Sequence, residues 1–186
     1  MAKQDAAFYA KLYKSQGIRG GHVISLNARD SEYYGKTKEQ AFVALSSYPG
    51  GLQAGGGITA ENAAEYLDAG ASHVIVTSYV FSDGRIQEKN LERIFQEVGK
   101  EHLVLDLSCR KKDDGYYIVT DRWQKFTEER VTPQLLDELE SYCDEYLIHA
   151  VDVEGKARGI EEALVEMLGA WNGLPVTYAV SYTHLR

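Results

Sequence analysis

Apolar residues along the chain follow two alternating rhythms. In the first they recur at helical spacing: Ala6, Phe8, Tyr9, Leu12 and Tyr13 form one stripe, which predicts a helix from Asp5 to Gln16 ended by Gly17. In the second they form short continuous runs bounded by glycine, as in Gly21-His22-Val23-Ile24-Ser25-Leu26, which predicts a buried strand. The pattern then repeats. A helix is predicted over 37–48, closed by Pro49-Gly50-Gly51, followed by a brief strand at Leu52-Gln53-Ala54. Thr59 caps the next helix, with Asn62 at the position where a capping box prefers Glu or Gln, and Gly70 ends it. Strands are predicted at 73–77, 102–107, 146–149 and from 176, with helices at 87–98, 133–142 and 160–171. One segment breaks the rhythm. Asp113-Asp114-Gly115 leads into Tyr116-Tyr117-Ile118-Val119, and Arg122 to Phe126 then alternates, so a β-hairpin is inserted here, with Tyr117 and Trp123 packing it against the rest.

Strands that are apolar throughout, each followed by a helix, imply an α/β fold with a parallel sheet. Six strands and six helices leave two architectures open. One is a (β/α)8 barrel of TIM type lacking some of its eight units, since a closed barrel typically takes about 250 residues. The other is a complete, smaller doubly wound sheet.

Composition narrows the function classes. The 186 residues carry 20 Lys+Arg against 28 Asp+Glu, a net charge of −8, which argues against a binder of nucleic-acid backbones. A hydrophobic content of 44% with 26% charged residues is that of an ordinary globular domain with a core. No run approaches the roughly 18 apolar residues of a membrane span, and the first residues lack a signal peptide's apolar stretch, so the expectation is a cytoplasmic protein with no membrane partner. Cys109 and Cys143 are two ordinary thiols, too few for a disulfide framework.

Candidate chemistry gathers where strands end. Gly55-Gly56-Gly57 follows a strand and precedes a helix start, a place where backbone N–H groups can converge on an anion such as phosphate, although a plain flexible turn uses the same residues. Thr77 and Ser78 end the neighbouring strand. Asp106 interrupts an apolar strand near its C-terminal end, either as a catalytic acid/base or as a cap on a backbone turn. Arg110, Lys111 and Lys112 follow it, able to pair with the acid, bind an anionic substrate or simply face solvent. His149 closes another strand and is followed by Asp152, Glu154 and Gly155; a hydrogen-bonded structural histidine is the plainer reading of His149. His22 and His73 open their strands, at the opposite edge, and read as structural. No Ser/His/Asp set or metal cluster shows usable spacing.

Taken together, Phe8-Tyr9-Ala10-Lys11-Leu12-Tyr13, Leu52-Gln53-Ala54-Gly55-Gly56-Gly57-Ile58, Val74-Ile75-Val76-Thr77-Ser78, Leu105-Asp106-Leu107-Ser108-Cys109-Arg110-Lys111 and the run from Leu147 to Gly155 resemble the eukaryotic-type phosphoribosylformimino-5-aminoimidazole carboxamide ribotide isomerases of histidine biosynthesis. The likeness runs from about Phe8 to Tyr178. It implies a β/α barrel with two phosphate sites and an Amadori aldose-to-ketose rearrangement of a bis-phosphate ribotide, without metal or redox cofactor, in a protein that is a monomer when complete. One carboxylate opens the ribose ring and another removes the proton from the adjacent carbon. Asp106 matches the general acid on the family's strand five. Gly55, Gly56, Gly57, Thr77 and Ser78 match the first phosphate site; Arg110, His149, Asp152, Glu154 and Gly155 match substrate contacts.

The resemblance also has departures. The family's first strand, with its aspartate, should precede Phe8 and is not found there; Asp5 stands at a helix start. After Ala179 the family's glycine pair is replaced by Val180-Ser181-Tyr182-Thr183-His184-Leu185-Arg186, which reads as a non-native tail. The expectation is therefore residues 1–179 as an incomplete barrel of about strands two to seven, inactive alone and prone to aggregate at its open edges. Two rivals remain at this point: the related cyclase barrel that makes imidazole glycerol phosphate, and a non-catalytic phosphate-binding or assembly module.

Overall fold

A computed structural model gives the fold, and the structure describes residues 4–120, 123–153 and 159–179. Helix α1 (Ala6–Ser15) is started by Asp5, whose carboxylate accepts from Phe8 N–H at 3.0 Å. It is followed by β1 (Gly21–Ile24), α2 (Tyr34–Ser47), β2 (Leu52–Gly55), α3 (Ala63–Asp68) and β3 (His73–Val76). Two short strands, β4 (Phe81–Ser82) and β5 (Arg85–Ile86), lead to α4 (Glu88–Val98), which turns Leu91, Ile94 and Val98 into the core. Then come β6 (Leu103–Asp106), β7 (Cys109–Lys112), β8 (Gly115–Thr120) and β9 (Lys125–Arg130). Helix α5 (Pro133–Leu139) is entered through Thr132, whose hydroxyl accepts from Leu135 N–H, with proline in the first turn where no N–H is needed. Last are β10 (Glu145–His149), α6 (Glu162–Ala170) and β11 (Val176–Ala179).

The large sheet has the order β1-β2-β3-β6-β10-β11, with every neighbouring pair parallel. Each strand of this sheet lies beside the one before it in the chain, so the winding never reverses. A doubly wound sheet must reverse at its switch point, and that alternative is thereby excluded. With right-handed crossovers throughout, all helices fall on one face, leaving the other face to curl inward.

Burial shows both faces. Val74, Val76, Leu103, Leu105, Tyr146 and Ile148 belong to the main core under the helices, while Ile75, Val104 and Leu147, pointing the opposite way, make a second, small cluster. The curl is visible in one contact. Gln53 on β2 and Glu145 on β10 are three strand spacings apart, about 14 Å across a flat sheet, yet the Gln53 amide donates to the Glu145 carboxylate at 2.7 Å. Only a concave sheet brings those ends together. The fold is a curled parallel half-barrel, the form a TIM-type barrel takes.

The segment expected as a two-strand hairpin is a three-stranded antiparallel sheet, β7-β8-β9. Arg110, Lys111 and Lys112, which read from sequence as a loop, form part of its first strand. A further hairpin, β4-β5, turns at Asp83 (φ 51°) and Gly84 (φ 82°), the positive pair that a tight Asp-Gly turn requires. Large apolar side chains left exposed gather on α1 and around β1: Phe8, Tyr9, Leu12, Tyr13, Ile24 and Leu26. Residues 180–186, expected as a tail, lie outside the described residues.

Candidate active site

Because the six strands run in parallel, their C-terminal ends share one rim, and most of the sequence-derived candidates stand on it. Asp106 is at its centre. Parity along β6 sends Leu103 and Leu105 to the helix side and Val104 and Asp106 to the concave face. The Asp106 carboxyl accepts from Thr77 Oγ1 on one oxygen and from Ser108 Oγ on the other, both at 2.8 Å. Dense surroundings push its pKa above the usual carboxylate value, opposed by the Ser108 and Thr77 hydrogen bonds and by the His149 imidazole. The residue nevertheless keeps some access from the concave face. Asp106 is thus a carboxyl group aimed by two hydroxyls, with its pKa raised by burial, and it also accepts from the Ser108 backbone N–H, the turn-capping contact that was the other reading of this residue.

Gly55, Gly56 and Gly57 carry the chain off β2 beside it. Gly56 (φ 95°) and Gly57 (φ 71°) both adopt conformations that side chains resist, and a Cβ on Gly56 would lie 2.0 Å from the Ser25 carbonyl oxygen. The turn is fastened from outside. Arg29 Nη2 and Asn62 Nδ2 both donate to the Gly57 carbonyl, at 3.1 and 3.0 Å, and Asn62 Oδ1 accepts from Thr59 N–H at 2.8 Å. That last bond is the return arm of the capping box expected from sequence, although regular helix begins only at Ala63. Arg29 was not among the sequence candidates, since a single arginine in a polar loop carries no signal until its partner is seen. Thr77 uses its hydroxyl on Asp106, while Ser78 is exposed on the same rim.

On the far side, Arg110 Nε donates to Asp152 Oδ1 at 2.9 Å and Lys111 N–H to Asp152 Oδ2 at 2.8 Å. Asp152 therefore fixes the start of β7 and holds Arg110 in place. His149 ends β10, and Trp123, in the turn between β8 and β9, meets it edge-on with ring centroids 4.9 Å apart. Trp123 does so from a positive φ of 67°, rare for an aromatic residue. Sequence reading left Trp123 as packing; only the hairpin's fold-back puts it over the rim. Glu154 and Gly155 lie outside the described residues.

Cys109 and Cys143 are buried, and burial pushes both thiols up to about 12, which rules them out as nucleophiles at neutral pH. At the opposite edge His73 bridges Ser72 Oγ (3.0 Å) and Asp144 (3.2 Å), a Ser-His-Asp contact that sequence spacing did not suggest. Ser72 Oγ donates its own proton to the Leu52 carbonyl, so the contact ties strand starts together and activates no hydroxyl. Among the described residues no group of three or more His, Cys, Asp or Glu could hold a metal ion, and no helix is long and apolar enough to cross a membrane.

The family model described as "histidine biosynthesis protein" matches residues 1–184. The chain belongs to that family. A Medicago truncatula protein is 51% identical over 180 residues, covering 97% of this chain and 56% of its own length; it is named as a chloroplastic isomerase of an imidazole-4-carboxamide that carries two 5-phosphoribosyl groups. Isomerases of the same name from Neurospora crassa (43% over 176 residues) and Saccharomyces cerevisiae (41% over 185) cover 93% and 96% of the chain. The chain spans 56% of the length of the Medicago relative and 66% of the Neurospora one.

Proposed function

We propose that this member of the histidine biosynthesis family serves the isomerase reaction named for its relatives, with Asp106 as the proton donor. The reaction class is an aldose-to-ketose rearrangement of an N-linked ribose. Asp106 donates its proton to the ribose ring oxygen, the bond from that oxygen to the anomeric carbon breaks, and the nitrogen lone pair forms the imine. A base then takes the proton from the neighbouring carbon, giving the enaminol; its hydroxyl proton leaves as the former anomeric carbon gains a proton, which gives the ketone. The observation that carries this reading is the Asp106 carboxyl itself: on the concave rim, held by two hydroxyl donors, with its pKa raised by its surroundings. A general acid for a weakly basic ether oxygen needs that combination.

The remaining assignments follow from placement. Gly55, Gly56 and Gly57 with Ser78, backed by Arg29, form the phosphate cradle, because a turn free of side chains lets N–H groups face an anion. Arg110, oriented by Asp152, takes an anionic part of the substrate, and Trp123 covers the rim beside His149. The second carboxylate of the mechanism is found at none of the six described strand ends of the large sheet, so Asp106 is assigned the acid half alone. On the same ground we read residues 1–179 as part of a TIM-type barrel that, among the described residues, supplies the acid and not the base. The isomerase is favoured over the cyclase rival by the names of the relatives, and over a non-catalytic module by the raised pKa of an oriented acid.

The test is a chimera in which residues 5–179 replace the matching segment of the Saccharomyces isomerase, expressed in a histidine auxotroph lacking that enzyme. Growth without histidine should be restored by the chimera and lost on Asp106→Asn with the protein still soluble and folded. A folded chimera that fails to restore growth, or an Asp106→Asn chimera that restores it, would overturn the assignment.

A further inference from the structure

One face of the three-stranded sheet β7-β8-β9 gathers cations and aromatic rings outside the apolar cores. Arg110 and Lys112, two residues apart on β7, share a side of the sheet, and Tyr117 stands opposite Arg110 on β8. Past the register shift between Tyr117 and Val119, Phe126 on β9 stands opposite Val119, and opposite residues of an antiparallel pair share a face. Arg110, Lys112, Tyr117, Val119 and Phe126 therefore lie together. Val119 is fully buried, whereas Phe126 is half-buried and packs in neither core cluster.

The Arg110 guanidinium lies over the Phe126 ring, with Cζ 5.5 Å from the centroid, and the Lys112 ammonium is 5.6 Å from the same centroid and 5.8 Å from that of Tyr117. All three distances are within the roughly 6 Å reach of a cation–π contact. Arg110 is also held from a second side, because Asp152 accepts its Nε–H at 2.9 Å. That single hydrogen bond leaves the guanidinium free to pivot about it; the ring fixes its plane. Among the described residues nothing accepts from Nη1 or Nη2, and the side chain keeps 38% of its surface exposed. The open Nη1/Nη2 edge is a planar fork matched to two oxygens of a carboxylate or phosphate. An arginine that only tied β7 to Asp152 would need no such ring, since the Lys111 N–H already donates to the other carboxylate oxygen at 2.8 Å.

We propose that Phe126 is a positioning residue: together with Asp152 it sets the plane of the Arg110 guanidinium so that the Nη1/Nη2 edge meets the anionic part of the substrate. The inference rests on the isomerase reading and extends it to a ring that acts only through Arg110. An anionic group away from the reacting carbons is bound equally in the ground and transition states, so loss of the ring falls on KM and spares kcat.

The purified Saccharomyces chimera tests this through Phe126→Leu, which keeps an apolar side chain and removes the ring. KM should rise about two- to fivefold, the factor that an exposed cation–π contact is worth, with kcat unchanged, and Phe126→Tyr should restore the parental KM. A merely structural role would lower the thermal midpoint and leave KM alone. Arg110→Ala should raise KM further, and adding Phe126→Leu to it should raise KM no more, because the ring acts through the arginine. An unchanged KM for Phe126→Leu, a matching fall in kcat, or additive effects in the double variant would overturn the proposal. Failure of the isomerase reading shows separately, as an Asp106→Asn chimera that still turns over. Should that reading fail, or Phe126→Leu not fold, NMR of the unmodified 186-residue chain decides: the Arg110 Nε–H should show a nuclear Overhauser contact with the Phe126 ring and shift saturably on titration with inorganic phosphate. Absence of either overturns the proposal.

Discussion

Gly56 and Gly57 sit side by side in the same turn, and the structure predicts that alanine is far worse at one than at the other. Both have positive φ, 95° and 71°, so each substitution incurs about 1–2 kcal/mol of left-handed strain, partly offset by about 0.4–1 kcal/mol from a stiffer unfolded chain. Gly57 has open space around the added methyl, and Gly57→Ala should cost no more than about 1.5 kcal/mol. Gly56 does not: its Cβ would stand 2.0 Å from Ser25 O and 2.7 Å from Ser25 N. These are backbone atoms, and Ser25 N–H is bonded to Gly55 O at 2.9 Å, so nothing can swing aside without opening that junction. Overpacking of this kind adds about 1–3 kcal/mol, bringing Gly56→Ala to about 2–4 kcal/mol. Urea unfolding followed by circular dichroism reads the difference directly. With a slope of about 1–3 kcal/mol/M, the Gly56→Ala midpoint should fall roughly 1 M below that of Gly57→Ala. Equal midpoints, or the reverse order, would refute the claim that the turn is pressed against the end of β1.

Two further outcomes are expected. Asp106→Asn should grow more stable relative to the parent as pH rises: the folded carboxyl has a pKa above its ordinary 3.8, so the parent's stability is intact below the unfolded pKa and declines through the folded one, while asparagine does not titrate; urea midpoints at pH 4 and pH 8 measure the gap, and one that narrows toward pH 8 contradicts the raised pKa. At Trp123, glycine should be at least as stable as alanine in thermal melts, reversing the usual disadvantage of about 0.5–1 kcal/mol, because the backbone there holds φ at 67°; alanine ahead by that margin would deny the strain.

Much of the fold was legible in the chain. The apolar runs at Val74-Ile75-Val76 and Leu103-Val104-Leu105 read as strands of a covered parallel sheet, and the helix expected over 87–98 does lie on it, with Leu91, Ile94 and Val98 buried. The missed elements were short or polar. β7 consists of Cys109-Arg110-Lys111-Lys112, whose charge hides its period; it pairs because Tyr116 and Tyr117 on β8 lie opposite. The β4-β5 hairpin has two residues a side, too few to show alternation, although its Asp-Gly turn was in plain view.

The sequence by itself determined the alternation of the six main strands and helices, the parallel sheet, the glycine turn and the placement of Asp106 and His149 at strand ends, because these follow from local periodicity and from the rule that a strand's last residue faces the rim. Tertiary structure decided three things. It fixed the strand order that separates a half-barrel from a doubly wound sheet, since both have the same local pattern and differ only in which edge each strand joins. It made Thr77 a donor for Asp106, made Asp152 the holder of Arg110 and brought Trp123 onto His149. And it joined Gln53 to Glu145 across 92 residues, a contact that exists only because the sheet curls, and curvature belongs to the assembled sheet and to no strand within it.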